Sequence, residues 1–599
     1  MNKWIRNHMN KMSALALAVI VAVSVAGCGN RNVTQVSEKS TVDSQEQGEL
    51  AQGSPADSEG GAQSESGQTD GKGGEQAEGS WSGSEGQTES GQAAEIVYDY
   101  EQELNIIDDN YRNYYEIFVY SYYDSDGDGI GDLNGVTQKL DYIADLGFNG
   151  IWLMPIMQST TYHKYDVVDY NTIDKEYGTM EDFKRLVEEA HKRGIRVVID
   201  FVINHTSSQH QWFTQACEYL RGLGNDEDPD VEECPYVEYY HFSRDKVNGV
   251  YYPVSGSGWY YEGSFWSEMP DLNLSCGALR KELEATAKNW LDMGVDGFRM
   301  DAAMHFEEND AAFNTEVLNW LYEYCRSINE DFYMVSEVWA GKATIADYYA
   351  SGTPSMFNFD AADAEGKLIK AARGNYKAAS FVQAMAGYQA DFSAENADFI
   401  DAPFITNHDM GRVANALMKD EKDLKMACGL LMTMNGSPFV YYGEEIGMSS
   451  SGKKDENKRL AFVWSDTDST GMTDGPKDAD KGIEFAFEGA EQQLENPYSI
   501  LNYYKRAIRL RNENPELARG EIKIIEALTA DNQAAITKTY EDSTIGIVYN
   551  TSDEEISVML GGTELENMQI RGYLTLNGEI ISLSDKTLSM PAQSICILK

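Results

Sequence analysis

The chain has 599 residues, with 48 Lys or Arg against 98 Asp or Glu, giving a formal net charge of −50 at pH 7. Such an acidic surface repels nucleic acid and anionic membranes, whereas a neutral polymer feels no such repulsion. The length exceeds one ordinary domain, and the seven cysteines show neither a Cys-x-x-Cys pair nor zinc-ligand spacing.

Taken in chain order, Lys3, Arg6 and Lys11 precede an apolar run from Met12 to Ala26 that ends in Val25-Ala-Gly-Cys28. The run is shorter than the roughly 20 residues of a transmembrane helix and reads as a signal peptide over 1–27. Its end resembles a bacterial lipobox, which implies cleavage before Cys28 and a diacylglycerol on that thiol. The expected location is the outer face of the bacterial cell membrane, held by the lipid anchor alone; an ordinary secretory signal with an incidental cysteine is the alternative. Residues 28–95 are rich in Gly, Ser, Gln and Glu, with Trp81 as the only aromatic side chain, too little apolar surface for a core. This stretch is expected to be a disordered tether.

From Tyr111 the pattern changes. Glu116-Ile-Phe-Val-Tyr120, Gly150-Ile-Trp-Leu153, Arg196-Val-Val-Ile-Asp200, Gly294-Val-Asp-Gly-Phe298, Phe332-Tyr-Met-Val335, Met356-Phe-Asn-Phe359, Pro403-Phe-Ile405 and Ser437-Pro-Phe-Val-Tyr441 read as buried strands. Helical patterns at Lys139 to Leu146 and Met180 to Arg193 fall between them. Strands alternating with helices imply a parallel sheet with right-handed crossovers. The fold class is therefore α/β, an eight-stranded (β/α)8 TIM barrel over 111–205 and 266–515. Residues 206–265 are read as an inserted small lobe after strand 3. It is dense in Trp212, Tyr239, Tyr240, Tyr251, Tyr252, Trp259 and Tyr260, with Trp266 just beyond, and shows no sign of long helices. These aromatic side chains serve either as one wall of a cleft or as the lobe's own core. Residues 516–599 carry short alternating runs, expected to form an antiparallel β-sandwich.

Four of the apolar runs lead into carboxylates or histidines: Asp200-Phe-Val-Ile-Asn-His205, Gly297-Phe-Arg-Met-Asp301, Val335-Ser-Glu337 and Thr406-Asn-His-Asp409. The carboxyl ends of barrel strands are where this architecture places its chemistry. With Tyr165-Asp-Val-Val-Asp-Tyr170, Met269-Pro-Asp-Leu-Asn273 and Gly436-Ser-Pro-Phe-Val-Tyr-Tyr-Gly-Glu-Glu445, the ordered set resembles the conserved regions of the α-amylase family, glycoside hydrolase family 13, from about Tyr115 to Gly447. Met269-Pro-Asp-Leu-Asn273 is similar to the intermediate group of that family, which holds α-amylases.

The resemblance implies retaining hydrolysis of α-1,4 bonds in starch, maltodextrin or a related α-glucan, by an endo-acting enzyme and a monomer. Retention needs two carboxyl groups about 5–5.5 Å apart. By motif match Asp301 is the nucleophile, Glu337 the acid/base and Asp409 the carboxylate that grips sugar hydroxyls and stabilises oxocarbenium-like charge. Arg299, counted with the substrate-binding residues, shares a strand face with Asp301 and favours its ionised form; the apolar surroundings of Glu337 favour its protonated form. His205 and His408 are expected to donate hydrogen bonds to the sugar, Tyr165 to stack on it, and His163 to assist at the rim. Where many family members have a Lys-His pair after the nucleophile, this chain has Met304-His305, which leaves the leaving-group side open. Exo-acting α-glucosidase, neopullulanase-like activity and 4-α-glucanotransferase are the alternatives within the family. A non-catalytic surface glucan-binding protein, or a transporter accessory subunit that keeps this barrel, is the alternative outside catalysis. Finally, Asp124-Ser-Asp-Gly-Asp-Gly-Ile-Gly-Asp132 offers carboxylates from Asp124, Asp126, Asp128 and Asp132 around the Ile130 carbonyl, a pattern for structural Ca2+. Gly135 stands where an EF-hand needs Glu. Asn204 is a weaker candidate ligand for a second ion.

Overall fold

A computed structural model describes residues 109–247, 250–450, 452 and 454–599. The signal peptide, Cys28 and the tether expected from sequence lie outside the described residues. Seven parallel strands line the core: β1 Tyr114–Ile117, β2 Gly150–Leu153, β3 Arg196–Phe201, β4 Gly297–Met300, β5 Tyr333–Ser336, β6 Ser355–Met356 and β7 Phe439–Tyr441. Their hydrogen-bonded order is β6-β5-β4-β3-β2-β1-β7. They are buried on both faces, which is why the sequence shows unbroken apolar runs there rather than alternation.

The expected eighth strand at Pro403–Ile405 does not form a ladder. Isolated parallel bridges, Phe357 to Ala402 and Phe404 to Phe439, join the two edge strands through this segment instead. Phe439 N–H donates to the Pro403 carbonyl at 2.9 Å and Asn358 N–H to the Ala402 carbonyl at 3.0 Å, so the cylinder closes. Proline has no N–H to return to a ladder, which accounts for the weak pairing.

Other boundaries differ for local reasons. Strand β1 starts at Tyr114, and Val119 and Tyr120, expected as its end, belong to a 3-10 turn, Val119–Ser121. Strand β4 starts at Gly297 rather than Gly294, because Gly294 has φ +94° and ends the preceding helix Gly277–Asp292. The helix Met180–Lys192 starts where the pattern put it. Thr179 accepts from Asp182 N–H, and the Asp182 side chain bonds back to Thr179, a complete capping box.

The inserted lobe contains a helix the sequence reading did not anticipate, Gln211–Gly222. Phe213, Ala216, Cys217 and Leu220 recur at helical spacing and face inward; the surrounding aromatic density hid that period. A small antiparallel sheet of Phe242–Ser243, Tyr260–Glu262 and Tyr251–Pro253 completes the lobe. Tyr239, Tyr240 and Trp259 are buried, and Phe213 packs on Tyr240 and Tyr261 with ring centroids 5.1 and 4.8 Å apart. These aromatic side chains make the lobe's core rather than a cleft wall.

The C-terminal strands form a five-stranded and a three-stranded antiparallel sheet, with Val548, Leu560, Leu588 and Cys596 in one buried cluster between them. Lys538 is buried and donates to the carbonyls of Thr433 and Leu517, at 2.7 Å each. It ties the sandwich to the barrel. All six described cysteines are buried and unpaired.

Candidate active site

Strands β4 and β5 pair in register, Met300 opposite Ser336, so the residues that follow, Asp301 and Glu337, emerge side by side. The pairing continues past both strands: Glu337 N–H donates to the Met300 carbonyl at 3.0 Å and Ala303 N–H to the Glu337 carbonyl at 3.2 Å. Neighbouring strands lie about 4.8 Å apart, close to the carboxyl separation that retaining glycoside hydrolysis requires. Arg299 faces inward two residues before Asp301. Its Nη1 donates to Asp301 Oδ1 at 2.5 Å and to Asp200 Oδ1 at 2.8 Å, and its Nη2 lies 3.1 Å from Glu337 Oε2. One guanidinium thus holds both candidate catalytic carboxyl groups.

Ala302 adopts a left-handed conformation, φ +48°, which costs a side-chain-bearing residue roughly 1–2 kcal/mol. That turn aims its N–H at Glu337 Oε2, 2.8 Å away. Burial raises the Glu337 carboxyl above the usual range; Arg299 opposes the rise and the charges of Asp301 and Asp409 reinforce it. A raised carboxyl is what a proton donor near neutral pH needs. On the adjacent strand, burial raises Asp200 to about 7 despite Arg299. Asp200 also accepts from Trp152 Nε1 at 3.1 Å and from the Tyr165 hydroxyl at 3.2 Å.

Asp409 lies on the loop after the bridging segment. His408 Nε2 is 3.0 Å from its Oδ2, and Arg459 Nη2 donates to its Oδ1 at 2.8 Å. Burial works against the charge of Asp409, but His408 and Arg459 outweigh it and hold the carboxyl well below its ordinary range. On the far side of the ring, His408 Nδ1 is 2.6 Å from Glu116 Oε1.

A cavity of about 430 Å³ opens over these groups. Of the residues singled out from sequence, His163, Tyr165, His205, Asp301, His305, Glu337 and Asp409 line it. His205 brings a buried Nε2 that has no hydrogen-bond partner among the described residues, a donor or acceptor left for a ligand. Burial lowers His163 to about 4, so it is a neutral rim group. His305 is exposed, with Nδ1 2.6 Å from Glu308 Oε1.

Two expectations are corrected. Arg299, 1 % exposed, lies beneath the carboxylates and does not reach the cavity. His408, fully buried, has both ring nitrogens engaged by Glu116, Asp409 and Tyr165, leaving none for a sugar. Tyr165 stacks on the His408 ring at 5.5 Å, and its edge remains in the cavity.

Sequence reasoning missed Phe265, Asp455 and Arg459, all of which line the cavity. Asp455 lies 2.8 Å from Arg459 and accepts from the Tyr162 hydroxyl at 2.7 Å. Both charged residues sit in the long segment after β7, where no periodicity or short motif marks them. Phe265 is half exposed, a signal available only once folding is known.

Away from the cavity, Asp124, Asp126 and Asp128 each bring a carboxylate oxygen within 4.8 Å of the others. Asp124 accepts from Gly127 and Gly129 N–H at 2.7 and 2.8 Å, which shapes the loop. Asp132 is outside that trio: it accepts from Ser125 N–H and caps the helix Leu133–Gln138 through Gly135 N–H. An all-oxygen donor set suits a hard cation such as Ca2+.

A family model described as "Alpha amylase, catalytic domain" matches residues 116–520. It ends just before the first strand of the sandwich, Glu521–Ile524. The chain is similar to Alpha-amylase 3 of Dictyoglomus thermophilum, 38% identical over 464 residues, 76% of this chain and 86% of that protein. It is 30% identical over 457 residues to a 4-alpha-glucanotransferase of Thermotoga maritima, 74% of this chain and 96% of that protein. Among solved structures, Eubacterium rectale Amy13B superposes with a TM-score of 0.81 at 43% identity, covering 84% of this chain and 98% of that one.

Proposed function

We propose, because this chain belongs to the α-amylase family of glycoside hydrolases, that it is an endo-acting α-amylase cleaving α-1,4 bonds of starch-type glucans with retention of configuration. As a family member it is an enzyme acting on α-glucans. One observation supports the retaining mechanism: beneath the floor of one cavity the Arg299 guanidinium holds Asp301 and Glu337 together, 2.5 and 3.1 Å away.

Asp301 attacks the anomeric carbon while Glu337 gives its proton to the departing glycosidic oxygen, forming a glycosyl ester on Asp301 and a free chain end. Glu337, now ionised, takes a proton from water, whose oxygen displaces Asp301 and restores both groups. Asp409, held ionised by His408 and Arg459, binds sugar hydroxyls and the positive charge that builds at the ring. Anomer-resolved NMR of the first products from amylose tests the stereochemistry, with the α-anomer expected. Product lengths over time test the mode of attack: early mixed maltooligosaccharides support endo action, and glucose alone overturns it. Glu337→Gln is expected to lower kcat by about 10²–10⁴ on starch; a variant of undiminished rate excludes Glu337 as the acid.

A second reading, 4-α-glucanotransfer, shares the same intermediate and is the printed activity of the Thermotoga maritima relative. Phe265, Met269, Met304 and Trp339 make much of the cavity lining apolar, a surface on which an acceptor sugar can compete with water. Incubation with maltotriose separates the two, since only transfer yields products longer than the substrate.

We also propose structural Ca2+ at Asp124, Asp126 and Asp128, with the Ile130 carbonyl and Asp132 completing the shell. Lipidation at Cys28 and a monomeric state are further proposals. Loss of radiolabelled palmitate from a Cys28→Ala variant in cells tests the anchor, and light scattering in detergent tests the monomer.

A further inference from the structure

We propose that Glu116 is a positioning residue for the glycosidic step: it fixes His408 as an imidazolium, and that cation presents Asp409 to the sugar as a carboxylate. The inference rests on the reading of Asp409 as the third carboxylate of the site. Glu116 lies on the first barrel strand, nearly 300 residues before His408. It is 1 % exposed and does not line the cavity, so it acts only through other groups.

The hydrogen-bond pattern carries the argument. Glu116 Oε1 is 2.6 Å from His408 Nδ1, and Asp409 Oδ2 is 3.0 Å from His408 Nε2. A carboxylate only accepts, so Nδ1 carries a proton toward Glu116; the Asp409 contact is an ion pair, and the hydrogen bond of Nε2 runs to the Tyr165 hydroxyl. Tyr165 sets the state of Nε2: its hydroxyl, 2.7 Å from that nitrogen, gives its own proton to ionised Asp200 Oδ2, 3.2 Å away, and so accepts from the ring. Acceptors on both sides make the ring a cation.

The charged and titratable groups around the ring come from five segments. Glu116 stands on β1, Asp200 on β3, Tyr165 on the segment after β2, Asp409 on the ring's own loop and Arg459 after β7. Arg459 donates to the His408 carbonyl through Nε at 3.2 Å, which fixes the backbone and leaves the ring to the acids. Burial alone disfavours the cation, yet Asp409 and Glu116 outweigh it and push His408 up to about 9. A glutamine at position 116 fits the same space and can donate its amide N–H to a neutral ring. The carboxylate therefore decides the charge as well as the orientation of the imidazole.

Glu116→Gln in the full chain is the test, read in two ways. With 13C-labelled histidine, the His408 signal, assigned by its absence in His408→Asn, is expected to titrate more than about one pH unit lower in Glu116→Gln than in the unmodified protein. At pH 7, kcat on maltooligosaccharides is expected to fall about tenfold, the size of one charge-assisted hydrogen bond, and its alkaline limb to move to lower pH. Glu116→Asp, which keeps the charge, is expected to recover part of both effects. An unchanged His408 titration in Glu116→Gln, or a slower enzyme with the alkaline limb unmoved, overturns the proposal. Asp409→Asn is measured beside it: full activity in that variant would overturn the role of Asp409 itself, whatever His408 does.

Discussion

At the scale of the residue, two carboxyl groups of one chemical type behave differently because their neighbours differ. Glu337 is raised by burial and nearby acids, whereas Asp409 is lowered by a histidine and an arginine that outweigh burial. Arg459→Met tests the second case. The folded Asp409 carboxyl lies below its ordinary 3.8, so its ion pairs stabilise the site above that pH and are lost as pH falls through the folded value. Removing Arg459 raises Asp409, and the acid limb of kcat/KM is expected to move to higher pH with about a tenfold loss at the optimum. An unmoved limb would show that His408 alone sets the charge. Asp301, Glu337 and Asp409 could be read from sequence because each closes an apolar run within a short motif. Arg459 and Glu116 could not, since an arginine in a long loop and a glutamate inside a strand carry no local mark of the partner they will meet.

At the scale of the element, capping and turn chemistry set what the sequence reveals. Thr179 and Asp182 cap the helix Met180–Lys192 reciprocally, and Thr179→Ala is expected to cost about 1 kcal/mol in denaturant unfolding with kcat unchanged. The aspartate-rich loop depends on Gly129, at φ +93°, where an added Cβ would lie 2.8 Å from Asp474 Oδ2. Gly129→Ala is expected to lower Tm, both through backbone strain and through that contact. If the loop holds Ca2+ as proposed, chelation is expected to lower Tm in the unmodified protein. A site filled at 100 times its Kd contributes about 2.7 kcal/mol, and an identical melt with and without chelator would sink the calcium assignment. The lobe helix Gln211–Gly222 went unread because Trp and Tyr on either side blurred its period. The strand expected at Pro403 failed for the opposite reason: its apolar letters were clear, but a missing N–H limits what they can pair with.

At the scale of the whole molecule, the buried acids make stability depend on pH in a definite direction. Burial raises Asp271 and Asp401 to about 7 and Glu444 to about 8. Each raised carboxyl contributes stability that is complete below its unfolded value near 4 and is lost as pH rises through its folded value. His408, raised from 6.5 to about 9, contributes below 6.5 and loses that contribution as pH rises through 9. All four terms have the same sign, and a net charge of −50 adds self-repulsion as the remaining protons leave. Tm is therefore expected to fall steadily from about pH 6 to 9 in scanning calorimetry; a Tm that rises over that interval would contradict these raised values.

The amino-acid order alone determined the alternation of strand and helix, the position of each carboxylate at a strand end, and the family these spacings resemble. These are local properties, written within a few residues and legible wherever periodicity or a short motif survives. Folding decided which charges meet. It buried Arg299 beneath two acids instead of exposing it to sugar, enclosed His408 between Glu116 and Asp409, and brought Arg459 across the site. The register of parallel strands, fixed by packing across hundreds of residues, sets those distances, and so sets the protonation state of each group.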